Sequence, residues 1–230
     1  MSIFEPLELR CPGCDTPVTC EVVHSVNIDR RPDLRVSILD GSFQRAGCPS
    51  CGTAFRPEPE FIYIDRGRGQ YIGVWPSTKR GDWAACAAWT RETFDASFGA
   101  QAPLSARELG AAFAVRAVFG WPALIEKLLA REAGIDDRTL EAAKLVVMRS
   151  GTATPLPGQR ELRLVAVQDR DPVLAWLGPS TGDDEAPASM RLPRSLIDEI
   201  DRAPDEWKAL RESVGAGDVV DFQREMLVAA

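Results

Sequence analysis

The chain contains one histidine in 230 residues. That shortage weighs against Ser-His-Asp and Cys-His mechanisms unless His24 itself serves, and against a His-rich catalytic metal site. Long apolar runs are also missing. None approaches the roughly 18 residues that a bilayer-spanning helix needs, so no membrane association is expected. The opening residues Met1-Ser2-Ile3-Phe4-Glu5-Pro6 lack a basic stretch and an apolar core. No secretory signal is therefore expected, and a cytoplasmic, reducing location follows. Excess positive charge is absent too. The formal net charge is −7, and the acidity is concentrated late. Residues 151–230 hold 9 Lys/Arg against 15 Asp/Glu, whereas residues 1–80 hold 10 of each. Nucleic-acid binding by dense phosphate neutralisation is not expected from that balance. Arg66, Arg68, Lys79 and Arg80 are the candidates for a local basic face, and a solvated surface explains them more simply.

Cysteine is present in a pattern. Four of the six cysteines lie in two matching turns, Cys11-Pro12-Gly13-Cys14 and Cys48-Pro49-Ser50-Cys51. Two such turns supply four soft ligands, the set of a closed tetrahedral site. Proline pre-sets one backbone dihedral in each turn. The residue after the second cysteine needs a positive φ, which Gly52 adopts at no steric cost and Asp15 tolerates. The competing reading is two separate redox dithiols, and duplication of the motif disfavours it. Cys11, Cys14, Cys48 and Cys51 are thus the candidate metal ligands. Zinc in a structural role is the first choice of ion. Iron is the second, because paired CPxC turns also resemble rubredoxin and a four-thiolate set does not itself choose. Cys20 and Cys86 read as small buried hydrophobes.

The rest of the chain reads as α+β. Short strands surround the cysteine turns, with a helix over residues 31–39. A hairpin follows from residues 61–64 to 71–75 across the polar turn Asp65-Arg66-Gly67-Arg68-Gly69. Helical spacing covers residues 83–98. A second helix is expected from Ser105, with Glu108 completing a capping box, through Leu109, Phe113, Val115 and Phe119. Further helices are expected over 122–132 and 137–149. Gly134-Ile135-Asp136-Asp137-Arg138 reads as a helix stop followed by an N-cap. A Pro/Gly/Thr linker over 151–158 precedes strands at 161–167 and 173–177. An acidic loop over 182–188, an amphipathic helix over 196–214 and an ambiguous tail complete the chain. The expected organisation is residues 1–150 as one domain, with a zinc-ribbon-like β part (1–80) and a helical part (81–150). Residues 151–230 then form a small acidic α/β subdomain. Core packing accounts for most of the six tryptophans, and Gly67-x-Gly69 is a turn, not a dinucleotide fingerprint.

The order of motifs resembles a family. A CPxC turn is followed by Val26-Asn27-Ile28-Asp29, Pro32-Asp33-Leu34 and Ile38-Leu39-Asp40-Gly41, then by a CPxCG turn and Tyr63-Ile64-Asp65. Later come Leu124-Ile125-Glu126-Lys127-Leu128, the Gly134–Arg138 segment within Ala133-Gly134-Ile135-Asp136-Asp137-Arg138, and Lys144-Leu145. Together these resemble the bacterial CpXC family over roughly residues 2–149. The resemblance implies a metal-binding ribbon with a helical continuation, and implies no reaction. The expected function is that of an interaction protein with a protein partner and a structural zinc. No catalytic residue is assigned. The enzyme alternative is a carboxylate/arginine site such as Asp136, Asp137 and Arg138, and the redox alternative is a rubredoxin-like iron carrier.

Overall fold

The computed structural model describes residues 2–151, 160–178 and 188–224. The expected linker beyond Gly151, most of the acidic loop and the last six residues lie outside the described residues. The chain is α+β. It divides into two compact units: Met1–Lys79 with Ala84–Gly120, and Arg80–Trp83 with Trp121–Ala230. Among the described residues, no helix is long and apolar enough to cross a membrane.

The first unit is built on a five-stranded sheet. Its strands are β1 (Ile3–Arg10), β2 (Pro17–Asn27), β5 (Phe61–Asp65), β6 (Gln70–Trp75) and β7 (Ala114–Phe119), in the order β1-β2-β5-β6-β7. The short strands β3 (Ala46–Gly47) and β4 (Ala54–Phe55) pair separately. β1 and β2 run antiparallel, β2 and β5 parallel, β5 and β6 antiparallel, and β6 and β7 parallel. Pro6 sits on the edge strand, where a missing ladder donor is tolerated. Helix α1 (Pro32–Leu39) opens on the proline at its first position. The polar turn of the β5–β6 hairpin is closed by Asp65, which accepts from the Arg68 backbone N–H at 2.9 Å. Helix α2 (Trp83–Phe98) comes close to β6 at Gly73. A Cβ there would lie 2.2 Å from the Thr90 hydroxyl oxygen, so only glycine permits that approach. Thr90 accepts from the Trp75 indole at 3.2 Å. Beyond it, Phe94 packs edge-on to Tyr71 at 5.1 Å between ring centres.

Two expectations about helices fail in instructive ways. Helix α3 covers only Leu104–Gly110, and its N-cap is Pro103 with no side-chain cap, so the Ser105/Glu108 capping box does not form. Residues 114–119 are strand β7, not helix. The open edge of β6 is the reason. The Ala114 N–H donates to the Gly69 carbonyl at 2.8 Å, and the strand then pairs in parallel along the whole of β6. Val115 and Val118, both β-branched, suit that pleat, and tertiary pairing overrides the local periodicity.

The second unit contains helices α4 (Gly120–Glu132) and α5 (Asp137–Arg149), a three-stranded sheet and two short helices. The sheet runs in the order β10-β9-β8, from β8 (Glu161–Gln168), β9 (Asp171–Leu177) and β10 (Ser189–Arg191). The amphipathic stretch expected as one helix is two, α6 (Arg194–Arg202) and α7 (Lys208–Ser213). The break falls at Ala203, φ −120° and ψ 58°. Ala203 precedes Pro204, whose ring disfavours helical geometry in the residue before it. The last pairing is β11 (Gly215–Ala216) with β12 (Val219–Val220). Leu140, Leu162, Leu164, Leu174, Leu192 and Ile197 form the centre of the core.

Charges are also buried in this unit. Glu126, Glu141 and Lys144 are fully buried, and Arg163 is 1 % exposed. The Lys144 ammonium donates to Glu126 and to Glu141, the latter at 2.8 Å. Glu126 also accepts from Arg163 at 3.0 Å and from the Leu164 N–H at 2.7 Å. Arg163 reaches Asp221 at 2.6 Å, and Glu141 accepts from the Phe222 N–H at 3.2 Å. Lys127 donates to the Val220 carbonyl at 2.6 Å. The network therefore fastens residues 220–222 onto α4, α5 and β8. Burial alone would raise Glu126, but Lys144 and Arg163 outweigh it and hold that carboxyl down at about 2. For Glu141 burial prevails over Lys144, and its carboxyl is pushed up to about 7.

Removing one partner of a buried ion set leaves uncompensated charge and costs about 3–5 kcal/mol. Lys144→Ala should lower the unfolding free energy of the second unit by about that much in a urea titration followed by circular dichroism; a loss below about 1 kcal/mol would contradict this account. The pH dependence has two arms. Glu126, low in the folded state, stabilises fully above its ordinary 4.5 and loses that contribution as the pH falls toward 2. Glu141, high in the folded state, contributes fully below 4.5 and loses its contribution as the pH rises through 7. Glu141→Gln should therefore flatten the fall in urea midpoint between pH 4.5 and 7.

Candidate metal centre

The two CPxC turns are near copies in space. In the first, the Cys11 carbonyl accepts from the Asp15 N–H at 2.9 Å, and the Cys11 N–H donates to the Thr16 carbonyl at 3.0 Å. In the second, the Cys48 carbonyl accepts from Gly52 and the Cys48 N–H donates to Thr53, both at 2.9 Å. The residues that close the turns have positive φ, 59° at Asp15 and 75° at Gly52. Each turn ends on a threonine whose hydroxyl oxygen meets a sulfur: Thr16 with Cys14 at 3.2 Å, and Thr53 with Cys51 at 3.1 Å. One turn joins β1 to β2 and the other joins β3 to β4.

The turns face one another across their sulfurs. Cys11 Sγ lies 3.6 Å from Cys51 Sγ, and Cys14 Sγ lies 3.6 Å from Cys48 Sγ. All four sulfurs fall within 4.8 Å of one another, and all four cysteines are free thiols. A tetrahedral ion with metal–sulfur bonds of about 2.3 Å sets its ligands about 3.8 Å apart. The observed spacing fits that polyhedron and far exceeds the roughly 2.05 Å of a disulfide bond. Cys11 and Cys48 are buried, packed with Val18 and flanked by Cys20 and Phe55, while Cys14 and Cys51 face solvent. Without an ion the thiols are unequal. Burial pushes Cys11 up to about 11, whereas hydrogen bonds with the Thr53 hydroxyl and backbone bring Cys51 down to about 6. A bound cation would hold all four as thiolates.

The CpXC protein family model matches residues 9–144. The chain belongs to the CpXC family. No curated protein and no solved structure matches it. The CpXC match begins just ahead of Cys11 and ends at Lys144, inside the buried charge network of the second unit.

The other residues singled out in the sequence have ordinary roles in this CpXC protein. His24 is half-exposed and lies 3.5 Å from Glu5. Asp136 caps α5, accepting from the backbone of Arg138 and Thr139, each at 3.1 Å. Asp137 faces Lys127 at 3.4 Å, and Arg138 donates to the carbonyls of Arg211 and Gly217. Capping and tertiary pairing thus use the carboxylate/arginine set. The four candidate basic-face residues each meet a carboxylate: Arg66 with Asp29, Arg68 with Asp65, Lys79 with Glu60, and Arg80 with Glu161. Cys86 is buried and Cys20 partly so. Sequence reasoning missed the Glu126–Glu141–Lys144–Arg163 cluster. One signal was available: Leu140, Ala143, Lys144 and Val147 share the apolar stripe of α5, so Lys144 occupies a core position.

The positive φ at Gly52 makes a sharp prediction. An L-residue with a branched side chain there costs about 1–2 kcal/mol in backbone strain. Gly52→Val should lower the thermal midpoint of the first unit, while Gly47→Ala, which has open space around it, should shift it little. Equal shifts for the two variants would refute the turn geometry.

Proposed function

We propose that Cys11, Cys14, Cys48 and Cys51 hold one zinc ion in a structural role, and that the protein acts in the reducing cytoplasm by binding another protein. The observation that carries the metal reading is the mating of two like turns with four sulfurs inside 4.8 Å. Four thiolates fill a tetrahedral shell and leave no position for substrate or activated water. The ion's contribution is then to folding: apparent binding energies of about 10–16 kcal/mol exceed the usual stability of a whole domain. Iron is the second reading, since the same four sulfurs suit a one-electron iron centre.

A surface beside the clasp supports the partner reading. A groove of about 330 Å³ runs past Leu7, Leu9, Pro12, Phe55 and Pro59. Of these, Leu7 on β1 is 45 % exposed. Exposed apolar side chains gathered around a groove favour contact with another macromolecule.

Protein expressed without added metal should contain about one zinc per chain by elemental analysis and be colourless. One iron per chain with visible absorption would establish the second reading, and a folded, metal-free chain would remove both. Affinity capture with tagged protein should return a stoichiometric partner that Leu7→Glu loses and Val165→Glu retains. A chain recovered alone, or a partner indifferent to Leu7→Glu, would refute the proposed surface.

A further inference from the structure

A second cavity lies in the first unit, away from the cysteine turns. β2 and β5 are parallel neighbours, with Asn27 opposite Ile64 near their carboxyl ends. The chain leaves β2 through Asp29 and Arg30 and leaves β5 through Arg66. These residues line one side of a crevice of about 420 Å³, and Phe98, Leu109 and Phe113 line the rest. That volume is within the roughly 300–1,000 Å³ range of small-molecule sites, and the carboxyl ends of parallel strands are where such sites form.

The lining has two chemistries. Phe98 and Phe113 lie 5.4 Å apart between ring centres, and with Ile64 they are backed by the core cluster of Ile62, Tyr71, Phe94 and Val115. This wall is therefore held by packing. Leu109, 41 % exposed, extends it outward. The polar side carries excess positive charge. Asp29 faces Arg66 at 3.8 Å, and Arg30 has no carboxylate partner among the described residues. The Asn27 side-chain oxygen is buried and has no hydrogen-bond partner among them. An unsatisfied buried acceptor is costly, about 1–3 kcal/mol, and such a group calls for an explanation.

We propose that this crevice binds a small aromatic anion, a ring carrying a carboxylate or a phosphate. The ring lies against Phe98, Phe113 and Leu109. The anionic group faces Arg30 and Arg66, where charge-assisted hydrogen bonds form. None of the lining residues belongs to a cysteine turn.

The test uses the full chain and 8-anilinonaphthalene-1-sulfonate, an aromatic anion whose fluorescence reports binding. Saturable, one-to-one binding is expected. Arg30→Glu and Leu109→Glu, both at exposed positions, should each weaken it about tenfold, a step of one decade in Kd. The uncharged 1-anilinonaphthalene should bind about tenfold more weakly than the sulfonate. Leu7→Glu, which alters the other groove, should leave binding unchanged. Displacement by phenyl phosphate and not by benzoate would identify a phosphate ligand, and the reverse a carboxylate. The proposal is overturned by non-saturable binding, by binding that survives both Arg30→Glu and Leu109→Glu, by loss through Leu7→Glu, or by failure of both competitors to displace the probe.

Discussion

Four sulfur atoms within 4.8 Å stand where the turn of a long hairpin meets that of a very short one. β3 and β4 have two residues each, and a hairpin of that length has almost no stability of its own in water. Its place is set by the turn it carries, by the packing of Phe55 against the cluster of Cys11, Val18 and Cys48, and by Gln44, which accepts from the Val23 N–H and donates to the Glu21 carbonyl. The long hairpin β1–β2 leads from the same sulfurs into the five-stranded sheet. The first cysteine turn is thus continuous in backbone with β2, while the second belongs to the separate β3–β4 pair.

The second unit is organised around a different constraint. Two carboxylates share one buried ammonium, and Arg163 adds a second cation beside Glu126. Glu126 receives both cations and a backbone N–H; Glu141 shares Lys144 and takes the N–H of Phe222. The family match ends at Lys144, yet Arg163, which pairs with Glu126, and Asp221, which pairs with Arg163, come from beyond it. In this chain a later residue, Arg163, therefore pairs with a carboxylate that the matched helices bury.

Much of the site was legible in the sequence because its geometry is local. A CPxC turn needs a particular dihedral after its second cysteine, and both Asp15 and Gly52 adopt it. The Asp136 cap and the β5–β6 hairpin are local for the same reason: each is decided by neighbours within a few residues. Where the reading failed, the deciding contact was remote or a competing local rule was overlooked. The apolar run after Gly110 became β7 because β6 offered an unpaired edge some 45 residues earlier in the chain. The Ala203 break was written in Pro204 and outweighed by a persuasive apolar stripe. The apolar stripe of α5 places Lys144 in the core, but Glu126 and Arg163 lie 18 and 19 residues away in the chain and are brought to it only by the fold.

The sequence by itself determined the α+β class, the two matching turns and their four sulfurs, and most helix and hairpin positions. These depend on dihedral preferences and periodicities that act over a few residues. Only the tertiary structure decided that the two turns face each other, that Arg163 and Asp221 complete a charge cluster begun on α4 and α5, and that Asn27, Arg30, Phe98 and Phe113 border one crevice. Those arrangements depend on strand order and helix packing, which place residues separated by tens of positions within a few ångströms.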